Sequence, residues 1–258
     1  MDLSLADGIY PALVVALAYV VLGLTGFASS LIAVPLLAWR WPLAEVVPLA
    51  LVMDMLASLL MGGLNLREVR WDEFRALAPG MLLGGLVGLW LAGQVTSAWP
   101  LLLLGAYIAG VGLRALRVRR EEDQGAHTTA LTPASRRSAW VYGTGIGLVV
   151  MLFATGGPLV LAWLTRRGLG ARAMRASLPV IIMLAALMVL ALMALDGRLF
   201  SAALGQRLLV LLPIALAGVL VGHRVAHRFS TERLRLVIYS LLTASGLLLV
   251  LNALNRLL

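Results

Sequence analysis

The chain has 258 residues, of which 61% are hydrophobic and only 13% charged, with a mean hydropathy of +0.97. A soluble domain is about half apolar and a quarter charged, so a water-soluble fold of this length is excluded, because it could not hide that much apolar surface. The formal net charge is +9 and all 21 basic residues are arginine; they sit in short gaps between apolar runs, a positive-inside pattern rather than a nucleic-acid-binding patch.

The apolar runs are long and continuous instead of alternating with period two, which points to helices rather than a barrel. Asp2 and Asp7 precede the first run, where a signal peptide would be basic, so the first segment is expected to be retained. Runs of roughly twenty residues predict eight embedded segments: 8–39, 42–63, 76–93, 98–116, 138–165, 173–195, 205–226 and 234–253. As one helix the first would be on the order of 45 Å long, against a hydrocarbon core of about 30 Å. It is expected to break where small residues cluster, between Gly23 and Ser30, and the fifth at Thr155-Gly156-Gly157-Pro158. Glycine tolerates the turn, and proline suits the first turn of a half-helix. One long tilted or kinked helix is the alternative. The polar stretch 117–137 reads as a cytoplasmic linker between a first membrane repeat, 1–116, and a second, 138–258.

Two ordered matches suggest the duplication. Phe27-Ala28-Ser29-Ser30 lies 126 residues before Phe153-Ala154-Thr155-Gly156, and Pro79, Gly84, Gly88 and Ala92 recur 134 residues on as Pro213, Gly218, Gly222 and Ala226. Charge then constrains the crossings. If every segment spanned once with the 117–137 stretch inside, Arg166 to Arg175 and Arg224 to Arg235 would both face outward with four arginines each, against the positive-inside bias. If segments one and five enter and leave on one side, both termini and the turn at Asp196 face outward, and every arginine-rich connection faces inward. Each half then has three full crossings, and the halves are inverted relative to each other.

Broken helices would put Ser29, Ser30, Thr155, Gly156 and Gly157 near the midplane, offering hydroxyls and free N–H groups to an anion. The same small residues also serve close helix packing, as Gly84, Gly88, Gly218 and Gly222 do. Asp54 lies mid-run between Val46 and Met61, with no cation at helical spacing in its own segment. A carboxyl at that depth is costly and marks a proton path, a cavity or a structural hydrogen bond; its counterpart falls near Ile181, so the feature is unpaired. Arg172 and Arg175 read as interfacial anchors that also attract anions, and Trp39, Trp41, Trp71, Trp99 and Trp140 as belt residues. His223 and His227 share a helix face, with Glu232 the one further ligand type nearby, and read as an interfacial pair. With no cysteine and three histidines, no metal or other cofactor is expected.

On Gly23-Leu24-Thr25-Gly26-Phe27-Ala28-Ser29-Ser30-Leu31-Ile32-Ala33-Val34-Pro35-Leu36 and on Gly147 to Pro158, the chain resembles the TauE/SafE family of sulfite and organosulfonate exporters. It differs in having Ala28-Ser29-Ser30 where glycines are common, and only two consecutive glycines at Gly156-Gly157. The resemblance implies an all-α, multi-pass secondary transporter of the inner membrane that moves sulfite, a sulfonate or a related carboxylate by alternating access, with the lipid bilayer as its surroundings. Oligomeric state stays open, a homo-oligomer included. A membrane-embedded enzyme would need a clustered catalytic set, and none stands out; a non-transporting assembly subunit would need neither the breaks nor Asp54.

Overall fold

The computed structural model describes residues 5–26, 28–61, 66–94, 99–123, 135–197 and 202–225, with short helical pieces at 243, 246–247 and 250–251. In chain order the helices are α1 (Leu5–Thr25), α2 (Ser29–Leu37), α3 (Leu43–Met61), α4 (Trp71–Gln94), α5 (Trp99–Asp123), α6 (Arg136–Phe153), α7 (Gly157–Arg166), α8 (Ala171–Leu195) and α9 (Ala202–Val225). No strand occurs among the described residues. Five helices are long and apolar enough to cross a membrane: α1, α3, α4, α8 and α9. Their outward faces carry large apolar side chains, such as Leu13 (65% exposed), Trp90 (64%) and Leu209 (79%), which suit a hydrocarbon surround.

The first and fifth apolar segments are both broken. Between α1 and α2, Gly26 and Ala28 adopt left-handed backbone with φ of 81° and 87°; between α6 and α7, Ala154 does so with φ of 56°. Left-handed backbone costs a Cβ-bearing residue about 1–2 kcal/mol, and Ala28 and Ala154 are the non-glycine positions among the described residues that adopt it. They are also the pair matched at an offset of 126, so the sequence match coincides with a shared backbone irregularity. Phe27 lies outside the described residues. Pro158 then stands in the first turn of α7, where its missing N–H leaves no acceptor unpaired.

The parts are unequal, 21 and 9 residues in the first segment, 18 and 10 in the fifth. The Tyr10 hydroxyl donates to the Leu36 carbonyl at 2.7 Å, and the Arg40 guanidinium lies 5.3 Å from the Tyr10 ring, so the end of α2 returns beside the start of α1. Likewise the rings of Tyr142, early in α6, and Trp163, late in α7, pack at a tilt with centroids 5.4 Å apart.

Glycine contacts lock two helix pairs. A Cβ on Gly84 would overlap the Thr144 carbonyl oxygen, and one on Gly147 the Met81 carbonyl, so α4 and α6 touch backbone to backbone. Gly222 and Gly23 do the same for α9 and α1, against Val20 and Val219. Without a hydrophobic drive between helices in lipid, such close approach supplies much of the packing. Contacts advance together along each pair, Gly80 with Trp140 and Gly88 with Met151, Gly218 with Ala16 and Gly222 with Val20, so both pairs run parallel. Each pair joins a helix before the 117–137 stretch to one after it.

Helix α5 continues to Asp123 and α6 begins at Arg136, so both ends of that stretch are helical and 124–134 lies outside the described residues. The last expected segment, 234–253, falls almost wholly outside them as well.

Candidate functional site

The two breaks meet at one small cavity. Gly26, Ala28, Ser29 and Ser30 line it from the first break, and Ala154, Thr155, Gly157 and Pro158 from the second; Asp54 and Ser58 of α3 and Pro179 and Ile182 of α8 close its sides. Helices α2 and α7 therefore both start at this cavity. The first turn of a helix leaves N–H groups without intrahelical acceptors, and its end of the helix dipole is positive. No arginine lines the cavity among the described residues.

Asp54 is buried, 8% exposed, and its Oδ1 accepts from the Tyr19 hydroxyl at 2.6 Å and from Ser29 Oγ at 2.7 Å. The Ser30 hydroxyl lies within bonding reach of the same carboxyl. The hydroxyl proton of Ser29 is thus committed to α3, and what α2 offers the cavity is chiefly backbone N–H. Tyr19 comes from α1, so three elements fix one carboxyl.

Thr155 differs. Its residue is fully buried, its carbonyl accepts from the Tyr107 hydroxyl of α5 at 3.1 Å, and its Oγ1 has no hydrogen-bond partner. A buried hydroxyl left without a partner costs roughly 1–3 kcal/mol.

Of the residues expected at the site, Ser29, Ser30, Thr155, Gly157 and Asp54 come together here. Gly156 does not line the cavity: a Cβ placed on it would overlap Cγ2 of Val150, so it faces the interior of the α6–α7 hairpin. Ile181, the position expected to correspond to Asp54, is a buried apolar residue beside Ile182. Arg172 pairs with Glu68 at 2.8 Å with its side chain 86% exposed, at the start of α8 and away from the cavity. The side chain of Arg175 and all of His227 lie outside the described residues, and His223 is exposed near the end of α9. Tyr19, Ser58 and Tyr107 are additions. A tyrosine buried mid-run in α1 was the available signal for the first; nothing local marks the others.

A profile described as Sulfite exporter TauE/SafE matches residues 11–249. The chain belongs to the sulfite exporter TauE/SafE family. It is also 42% identical over 202 residues, 77% of this chain and 80% of the relative, to a protein of Comamonas testosteroni named "Probable inner membrane transporter protein TsaS". No solved structure matches. Family membership makes the chain a membrane transporter rather than an enzyme, and sets aside the enzyme and assembly-subunit alternatives. Its helices, five of them of spanning length and hydropathy, accord with a multi-pass protein.

Proposed function

We propose that this protein is a secondary transporter of the inner membrane that carries a small sulfur-containing or organic anion, sulfite, a sulfonate or a related carboxylate, by alternating access through the cavity between the two breaks. The observation that carries the reading is Thr155 Oγ1, a buried hydroxyl without a partner, in a wall from which two half-helices start. Donors at helix N-termini bind an oxyanion without an arginine, and discontinuous helices of this kind hold the substrate in several transporter families. Ser29, Ser30, Thr155 and Gly157 form the anion site, with Gly156 shaping the second break behind it.

The same reading takes 1–116 and 138–258 as inverted repeats around the 117–137 linker, with the linker cytoplasmic and both termini outside. Supporting it are the equivalent left-handed alanines and the exchange of parallel partners, α1 with α9 and α4 with α6. Asp54 is the proton-coupling group. Its partners are hydroxyls rather than cations, so an ionised carboxylate would oppose an anion in the same cavity, whereas the neutral acid admits one. Anion and proton then bind together.

Exchange of labelled sulfite, an alkyl sulfonate and acetate across vesicles reconstituted with the protein tests the reading. At least one should exchange at many times the rate of protein-free vesicles; exchange of none of these anions at any pH between 5 and 8 would refute it.

A further inference from the structure

Two clusters, each made of one glutamate, one arginine and one tryptophan, hold the far ends of the half-helices. At the end of α7, Arg167 Nε lies 2.8 Å from Glu73 Oε1 and 3.0 Å from Oε2, Trp163 Nε1 donates to Oε2 at 3.0 Å, and the guanidinium lies 5.9 Å from the Trp163 ring. Glu73, in the first turn of α4, is 2% exposed. Just past the end of α2, the guanidinium of Arg207 from α9 sits 4.1 Å over the Trp41 ring and forms an ion pair with Glu45 of α3.

The clusters are related by the duplication. Glu73 and Arg207 are 134 residues apart, the offset of Gly84 and Gly218; Trp41 and Arg167 are 126 apart, the offset of Ala28 and Ala154. The same two positions touch in both clusters, Glu73 with Arg167 in one and Arg207 with Trp41 in the other, although the residue types differ. They also lie at opposite ends of the molecule. Helix α3, which carries Glu45 in its first turn, runs for 19 residues, about 28 Å, toward the connection that leads to Glu73. Helix α8 starts next to Arg167 and ends before the segment that leads to Arg207.

In each case the tethering helix is itself fixed, α4 by its glycine contacts to α6 and α9 by those to α1. The tethered half-helix forms a cavity wall at its other end. Nine or ten residues, about 14 Å, are all that lie between that wall and the face where the tether sits.

We propose that Glu73 and Arg207 are paired positioning residues, each holding one half-helix in place so that loss of either opens the cavity to its own membrane face. This rests on the transport reading of the cavity. A charge-assisted bond is about twice as strong as a neutral one, and Glu73 makes its bonds from a fully buried side chain. Glu73→Gln keeps an acceptor for Trp163, and the Arg167 side chain, 35% exposed, can turn to water, so the fold should survive. Arg207→Gln lies in the more open cluster and serves as the second variant.

The chain has no cysteine, so Ser58→Cys places a single thiol in the cavity without touching the anion site. Its modification by a membrane-impermeant thiol reagent is followed from each face of oriented vesicles. Glu73→Gln should raise the rate several-fold from the face carrying the 117–137 segment and not from the other; Arg207→Gln should do the reverse. Labelling that is unchanged in both variants, or that rises equally from both faces, would overturn the proposal while leaving the cavity accessible. A thiol labelled from neither face in parent and variants alike would instead refute the cavity as a transport site, and the tethers with it.

Discussion

Asp54 shows how much one side chain can settle and how little its sequence surroundings reveal. Its depth in an apolar run is legible from the sequence, but its partners Tyr19 and Ser29, 35 and 25 residues earlier, are not, because hydrogen bonds between helices leave no periodic trace. An asparagine keeps an acceptor for both hydroxyls while removing the titrating group. If each bound anion takes up a proton, the parent's apparent affinity falls as pH rises through the carboxyl's titration, by up to about tenfold per pH unit. Asp54→Asn should lose that dependence, together with accumulation driven by an acid-outside gradient, and retain exchange at equal pH. Uptake assays with and without the gradient check this; a variant that still follows the gradient assigns Asp54 a structural role. Ala28 and Ala154 were legible as a matched pair. Their left-handed backbone was not, since alanine carries no signal for it.

Among the elements, the breaks stood out because small residues and Pro158 interrupt runs too long to be one helix. Their asymmetry did not, because hydropathy is uniform across α1 and α2 and so gives no hint that the tip falls 21 residues in. Glycine spacing read correctly as close packing but could not name partners: Gly84 meets Thr144 and Leu148, about 60 residues away. Gly84→Leu should therefore drive α4 from α6, costing on the order of 1–3 kcal/mol or more by overpacking. Leu83→Ala, on the exposed face of the same turn, should cost little. Melting in detergent compares the two directly, and equal midpoints would mean that α4 and α6 are not locked.

Across the whole molecule, the proposed duplication joins sequence to structure. Offsets of 126 and 134 align the hairpin tips and the glycine-bearing helices, and they also relate Glu73 to Arg207, which no local pattern singled out. Arg167 is indistinguishable in sequence from an interfacial anchor until Glu73, 94 residues before it, is placed against it. Thr155 joins these levels, since its hydroxyl is left unpaired by the same break that aims α7 at the cavity. Valine is nearly isosteric with threonine and removes the unpaired hydroxyl, so Thr155→Val should melt no lower than the parent. The most direct measurement is the rate of labelled sulfite or alkyl sulfonate exchange in vesicles containing this variant. A fall of about tenfold or more, equivalent to roughly 1.4 kcal/mol, is the expected result; exchange equal to the parent's, from protein with an unchanged melting midpoint, would contradict an anion site between the two breaks.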